Sequence, residues 1–355
     1  MNITYLFGAG ASCNCLPTYA NFYNRFNSFL EFIHKQSESN GTKEIKVESL
    51  RSAIEIVMKE FLFHNTPDTI AKKYFHLGDD EMLNRLKNTL IVFFLYEQSL
   101  GSANNEEKHL IDKRYDSFIA ALLKPIPKKI ELLENINILT WNYDLQFEIC
   151  FSKYMDQYIH EVQDYVQSFP KIEKDEGNNY QENAFSLIHL NGIAFPKPHR
   201  EADIERMGSF YEPTFAFAIY LSEVYEHLIL KRASNKLLKF AWENMNPDYS
   251  LKSSHILDKA LAIAEKTQVL VINGYSFPGF NREIDKELFN KMYGVKTIYI
   301  QSPQANDIEN IIKSDLIEEG STPPIFKNVG YWNQFFIPSE WSKVPDAFVG
   351  DIVTR

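Results

Sequence analysis

Tyr5-Leu-Phe-Gly-Ala-Gly-Ala-Ser12 is the stretch from which the fold is read. The apolar run from Ile3 to Phe7 stops abruptly in a glycine-rich turn, as the first strand of an open parallel α/β sheet does. Gly8 and Gly10 let the backbone turn tightly and approach a ligand closely, and a helix beyond the turn would offer its N-terminal amides to an anion. Ser12 can cap that helix or donate to a phosphate oxygen. Gly8, Ala9, Gly10, Ala11 and Ser12 are therefore candidate binding residues. A dehydrogenase fingerprint requires a third glycine further on. Here that region reads Cys13-Asn-Cys-Leu-Pro-Thr18, which disfavours hydride transfer.

Four further apolar runs read as buried parallel strands, at 136–140, 185–190, 269–273 and 297–300. Helical periodicity fills much of the rest. Phe22, Phe26, Phe29 and Ile33 share one helical face, as do Leu50, Ile54, Val57 and Phe61. Pro67 interrupts this pattern, and another helix is expected over 81–96. A proline-containing loop, Lys124-Pro-Ile-Pro-Lys128, should precede a helix and the second strand. A polar loop is expected around Lys171–Asn179. A helix from His255 to Lys266 leads into the strand at Val269. The expectation is α/β: one domain over 1–355 with a Rossmann-like parallel sheet and large helical insertions. Its core would take residues 1–20, 131–150, 185–195 and 255–305, and its helical part 20–130 and 195–254.

Composition agrees with a large folded core, at 45% hydrophobic and 24% charged over 355 residues. A net charge of -10 repels nucleic-acid backbones, and Lys128-Lys129 and Lys231-Arg232 are too small to reverse that. Three cysteines with no Cys-x-x-Cys pair provide neither a disulfide framework nor a four-cysteine zinc ribbon, so no metal is expected. The N-terminus lacks a secretory pattern, and the longest apolar run, Leu90 to Tyr96, is too short to span a bilayer. A cytoplasmic location is the expectation.

The remaining chemistry lies at strand ends, where open α/β sheets bind ligands. Thr140-Trp-Asn-Tyr-Asp144 puts an amide and a carboxylate two residues apart, able to hold a ribose hydroxyl, a carboxamide or a water. Asp144 also reads as the cap of a helix beginning at Leu145. Leu187-Ile-His-Leu-Asn-Gly192 offers His189, suited to acid–base work near neutral pH, and Asn191. Gly274 permits close approach, Ser276 can donate to phosphate or ribose, and Gln301 can meet an adenine edge. The aromatic tail, Tyr331 to Phe336 with Trp341, reads as a core cap or as a partner contact.

Taken in order, these elements resemble the sirtuin superfamily. Gly8-Ala-Gly-Ala-Ser12 with Leu16-Pro17 is similar to the family's glycine loop and its proline. Asn142-Tyr-Asp144 looks like its Asn-x-Asp, His189-Leu-Asn-Gly192 lies where it carries His-Gly, and Gly274-Tyr-Ser276 looks like its Gly-x-Ser. Large helical insertions without a zinc ribbon resemble the bacterial sirtuin-like proteins of antiphage defence, as in Thoeris and related systems. The resemblance implies a sirtuin-type fold and a hydrolase that takes NAD+ as substrate. It would release nicotinamide and ADP-ribose, and NAD+ depletion would serve abortive infection. Asn142, Asp144 and His189 would be catalytic, with NAD+ held by Gly8 to Ser12, Pro17, Asn191, Gly274, Ser276 and Gln301. It also implies a homo-oligomer, or a separately encoded trigger or ATPase partner.

One position departs from that pattern. The family's histidine directly precedes the glycine, and here Asn191 stands there. His189 lies two residues earlier, on the same strand face and about 7 Å upstream. Either His189 does the acid–base work, or Asn191 marks a module that binds NAD+, ADP-ribose or another nucleotide without chemistry. A protein deacylase is a third reading, weakened by the missing zinc ribbon.

Overall fold

A computed structural model describes residues 1–38, 47–100, 111–172, 181–196, 215–230, 236–240, 242–243, 254–317 and 323–343. Lys231-Arg232 and most of the expected loop around Lys171–Asn179 lie outside these residues. The elements run β1 (Ile3–Phe7), α1 (Phe22–Glu38), α2 (Glu48–Phe61), α3 (Pro67–Leu77), α4 (Asp80–Leu100), α5 (Lys113–Leu122) and β2 (Ile136–Thr140). Next come α6 (Gln146–Met155), α7 (Ile159–Tyr165), β3 (Ser168–Phe169), β4 (Ser186–His189), β5 (Gly192–Pro196), α8 (Phe215–Leu230) and β6 (Lys236–Leu238). The chain continues through α9 (Ser254–Lys266), β7 (Val269–Asn273), α10 (Arg282–Lys291), β8 (Thr297–Gln301), α11 (Ala305–Ile311) and β9 (Ile325–Asn328).

Seven strands form one parallel sheet in the order β3-β4-β2-β1-β7-β8-β9. Setting aside the two-residue edge strand β3, this is the 3-2-1-4-5-6 order of a Rossmann-like sheet. The order reverses between β1 and β7, whose last residues, Phe7 and Asn273, lie side by side. A ligand crevice therefore opens just beyond Phe7 and Asn273.

Strand side chains alternate between two covered faces. Tyr5, Phe7, Ile138, Val271 and Tyr299 pack with α5, α6 and the tail residues Phe335 and Trp341. Leu6, Leu139, Ile188, Leu270, Ile272 and Ile300 pack with α9, α10 and α11. Phe335 and Trp341 thus cap the core, with Phe7 and Phe335 ring centroids 5.0 Å apart, whereas Tyr331 and Trp332 stay exposed.

A third apolar cluster joins α1 to α4, α8 and the antiparallel pair β5-β6 into a separate helical layer, with Phe26 and Phe93 only 4.2 Å apart. Two expectations change here. Residues of α5 belong to the sheet's cover, because Tyr115, Phe118, Ile119 and Leu122 face β1 rather than the helical layer. Pro67 does not interrupt a helix. It starts α3, where Thr66 Oγ1 accepts the Thr69 amide at 3.2 Å and proline's missing N–H costs nothing. Among the described residues no helix is long and apolar enough to cross a membrane.

Candidate active site

Two glycine loops interlock at the crevice. The Gly8 amide donates to Asn273 O and the Gly10 amide to Gly274 O, both at 3.0 Å. A Cβ on Gly274 would stand 2.4 Å from Gly10 Cα, and Gly274 itself has φ +60°. Only glycines allow two backbones to touch in this way. Ala11 is wholly buried and its amide donates to Gly8 O at 2.8 Å. The Gly8, Gly10 and Ala11 amides are therefore engaged within the fold. This corrects the expectation of a fully open anion cradle, and it leaves Ala11 behind the crevice wall.

Above the loops lies a cavity of about 520 Å³, roofed by the helical layer. That volume suits a small-molecule ligand. Of the sequence-derived candidates, Gly8, Ala9, Gly10, Ser12, Pro17, Asn142, Asp144, Asn191, Gly274, Ser276 and Gln301 line it. Ala11 and His189 do not.

The wall below β2 is a polar cluster. Asn142 Nδ2 donates to Ser12 Oγ at 3.4 Å, and Ser12 Oγ pairs with the Tyr115 hydroxyl at 3.1 Å. Asp144 is 6% exposed, accepts the Gln146 amide at 3.1 Å from one residue before the Leu145 N-cap of α6, and faces the cavity. Burial pushes its carboxyl up to about 6, opposed by the Gln146 amide, by His189 and by Ser12. An ionised carboxylate beside a donor amide is a site for ribose hydroxyls and for positive charge developing at a sugar carbon.

His189 is directed elsewhere. Its Nε2 stands 3.0 Å from Glu148 Oε1, and its Nδ1 3.3 Å from Asn142 O. Both residues are at most 2% exposed, and His189 borders a separate space of only about 10 Å³, lined by Phe7, Tyr115, Phe147 and Glu148. Burial opposes charging both groups. Their mutual attraction and hydrogen bond prevail, raising the histidine and lowering the glutamic acid from their usual ranges. The histidine's assignment to the cavity is thereby corrected: the pleat turns it to the α6 side, where a carboxylate awaits it. Asn191 occupies the cavity in its place, with Nδ2 on Trp141 O at 3.2 Å. Gly192 follows with φ +68°, and a Cβ there would stand 1.9 Å from Leu237 O, so glycine is required on both counts.

Gln301 also changes meaning. Its Nε2 donates to Tyr331 O and Gln334 O, each at 2.7 Å, and its Oε1 accepts the Phe336 amide at 3.0 Å and the Asn273 side chain. With both donors and its acceptor engaged, it clamps the tail instead of reading an adenine edge. The clamp sets Trp332 on the cavity rim beside Pro303 and Gln304.

Two cavity residues, Arg114 and Asp68, were not found from the sequence. Arg114, at the start of α5, donates to Gly10 O at 3.0 Å and Ala11 O at 3.1 Å while paired with Asp112, and it lines the cavity. The Asp112 helix cap was its one local signal. Asp68 enters from α3, far away in sequence. Tyr275 and Asp285 form a buried pair at 2.9 Å in which burial pushes the carboxyl up to about 8. Among the described residues no group of three or more His, Cys, Asp or Glu side chains is placed to hold a metal ion. Compared with family models and with curated proteins, the chain matches none.

Proposed function

We propose that the protein is an NAD+ hydrolase that releases nicotinamide and ADP-ribose, acting as an NAD+-depleting effector of antiphage defence. The observation that carries this reading is the buried Asn142–Asp144 pair in the wall of a cavity at the β1–β7 reversal, beside Ser12 and the glycine loop. In this reading the dinucleotide lies along the glycine loop, with Ala9, Pro17, Gly274 and Ser276 around it. Asn142 positions the nicotinamide ribose or a water. Asp144 orients the nicotinamide end and stabilises the oxocarbenium-like charge that grows as nicotinamide departs. Asn191 adds a neutral amide next to the reacting sugar. The resemblance to sirtuin-like defence proteins supports the same substrate, a cytoplasmic setting, and a homo-oligomer or a separately encoded trigger or ATPase.

A second reading is a binding subunit that holds NAD+ or ADP-ribose as a signal without chemistry. It is favoured by the burial of His189 away from the cavity and by Asn191 in its stead. Nicotinamide release from NAD+ separates the two, measured with the purified protein and in phage-infected cells expressing it with its genomic neighbours. Asn142→Ala is expected to abolish release while leaving the circular dichroism spectrum and melting temperature near those of the parent. Unchanged turnover in that variant would refute the assignment.

A further inference from the structure

With His189 outside the cavity, the proposed hydrolysis lacks a group to take the proton of the attacking water. The charged side chains that line the cavity among the described residues are Asp68, Arg114 and Asp144. Arg114 is held by Asp112 and two backbone carbonyls, and it does not release protons near neutral pH. Asp144 already accepts the Gln146 amide and a bond from Ser12. Asp68 is the carboxylate that the helical layer brings in from above, on the first turn of α3. It is 8% exposed, and the Tyr143 hydroxyl, from within the Asn142–Asp144 segment, donates to it. Tyr275, from the loop after β7, lies near enough to feel its charge while its own hydroxyl is bonded to Asp285, and Arg114 and Asp144 share the cavity.

We propose that Asp68 is the general base of NAD+ hydrolysis, supplied to the sheet's crevice by the helical layer. This rests on the hydrolase reading above. The bond between the ribose C1′ and the nicotinamide nitrogen breaks, and its electron pair leaves with nicotinamide, discharging the pyridinium. The water oxygen bonds to C1′, and its proton passes to the Asp68 carboxylate and then to solvent. Burial pushes the Asp68 carboxyl up to about 6, against the Tyr143 hydrogen bond that favours its charged form. A base so placed is ionised near neutral pH and still able to hold a proton.

The test compares Asp68→Asn and Tyr143→Phe with the parent, by nicotinamide release across pH and by calorimetric binding of ADP-ribose. Asp68→Asn is expected to lower kcat by roughly 10²–10⁴-fold while the ADP-ribose Kd stays within about threefold. Tyr143→Phe removes a bond to the ionised form, so the acid limb of the kcat profile should move to higher pH. A merely structural Asp68 would not move that limb. Parent-like kcat in Asp68→Asn, or an unmoved limb in Tyr143→Phe, overturns the proposal while the hydrolase reading stands. A parent protein that releases no nicotinamide, purified or in infected cells, overturns both.

Discussion

Replacing His189 with alanine separates a structural histidine from a catalytic one. The imidazole is 2% exposed and stands 3.0 Å from Glu148 Oε1, and Glu148 is wholly buried. Removing it leaves a carboxylate inside the fold with the Ser168 hydroxyl, 2.7 Å away, as its remaining side-chain donor. Breaking one side of a buried pair costs about 3–5 kcal/mol. In a chain of 355 residues that lowers the melting temperature by roughly 4–7 °C. The cost should depend on pH in a defined direction. The histidine's folded pKa is raised, so its contribution is complete below its ordinary value and fades as pH rises through the folded one. The glutamic acid's is lowered, so its contribution is complete above its ordinary value and fades as pH falls through the folded one. The loss should therefore be larger at about pH 6 than at about pH 9. Urea denaturation followed by circular dichroism at both pH values gives the stability change, and nicotinamide release well below the variant's melting point gives the turnover. Turnover per folded molecule should stay within about threefold of the parent, since the imidazole faces away from the cavity. A stability change under about 1 kcal/mol together with a hundredfold or greater fall in kcat would refute this, by showing that the histidine reaches the substrate.

Two more substitutions and one control test how the crevice is built. Gly274→Ala forces a Cβ to 2.4 Å from Gly10 Cα at φ +60°, so it should abolish ADP-ribose binding and lower stability well beyond the roughly 1–2 kcal/mol of the left-handed backbone alone. Gly78→Ala, at φ +68° with nothing within 4 Å, is the control that carries only that backbone cost, and equal denaturation midpoints for the two variants would argue against interlocked loops. Gln301→Ala strips partners from Tyr331 O, Gln334 O and the Phe336 amide. It should cost about 2–4 kcal/mol and speed amide exchange at Phe336, and unchanged exchange there would show that the tail is held by packing alone.

The sheet was legible because its strands are buried on both faces. Ile3–Phe7, Ile136–Thr140 and Val269–Asn273 carry near-continuous apolar side chains, and their bounds were read to the residue. The two strands of this parallel sheet that the sequence does not show lack this signal. Ser168–Phe169 is two residues long, and Ile325–Asn328 is an edge strand largely open to solvent. α3 is hidden because Pro67 reads as a break, although a proline in a helix's first turn after a threonine cap starts one. Cavity-lining residues divide along the same line. Those that follow a strand, such as Asn142, Asp144, Asn191 and Ser276, are legible because strand ends converge. Asp68 and Arg114 arrive from helices far away in sequence, and no local pattern announces which buried charge will face a cavity. His189 shows the limit within a strand: the two-residue period puts it on the same side as Asn191, but the strand ends at His189 and the chain turns before Asn191.

The distribution of charge bears on which ligand the crevice accepts. A site built for phosphate alone would present free amides and unpaired cations. Here the Gly8, Gly10 and Ala11 amides are engaged in holding the two loops together, and the cavity's arginine is already paired with Asp112. The cavity also contains Asp68 and Asp144, each pushed up to about 6 and thus mostly ionised near pH 7. Two carboxylates on the wall of one cavity repel a polyphosphate and attract a cation. NAD+ is a nucleotide whose reacting end is a cationic pyridinium on a ribose, and the developing oxocarbenium carries that charge onto the sugar. A carboxylate-bearing cavity next to a glycine loop is arranged for such a molecule more than for a nucleoside triphosphate. The same logic distinguishes chemistry from storage. Two buried carboxylates cost stability in the absence of ligand, as their raised pKa values record. A module that only binds the dinucleotide gains little from keeping both beside one amide, whereas hydrolysis needs one to stabilise the sugar cation and another to accept a proton from water.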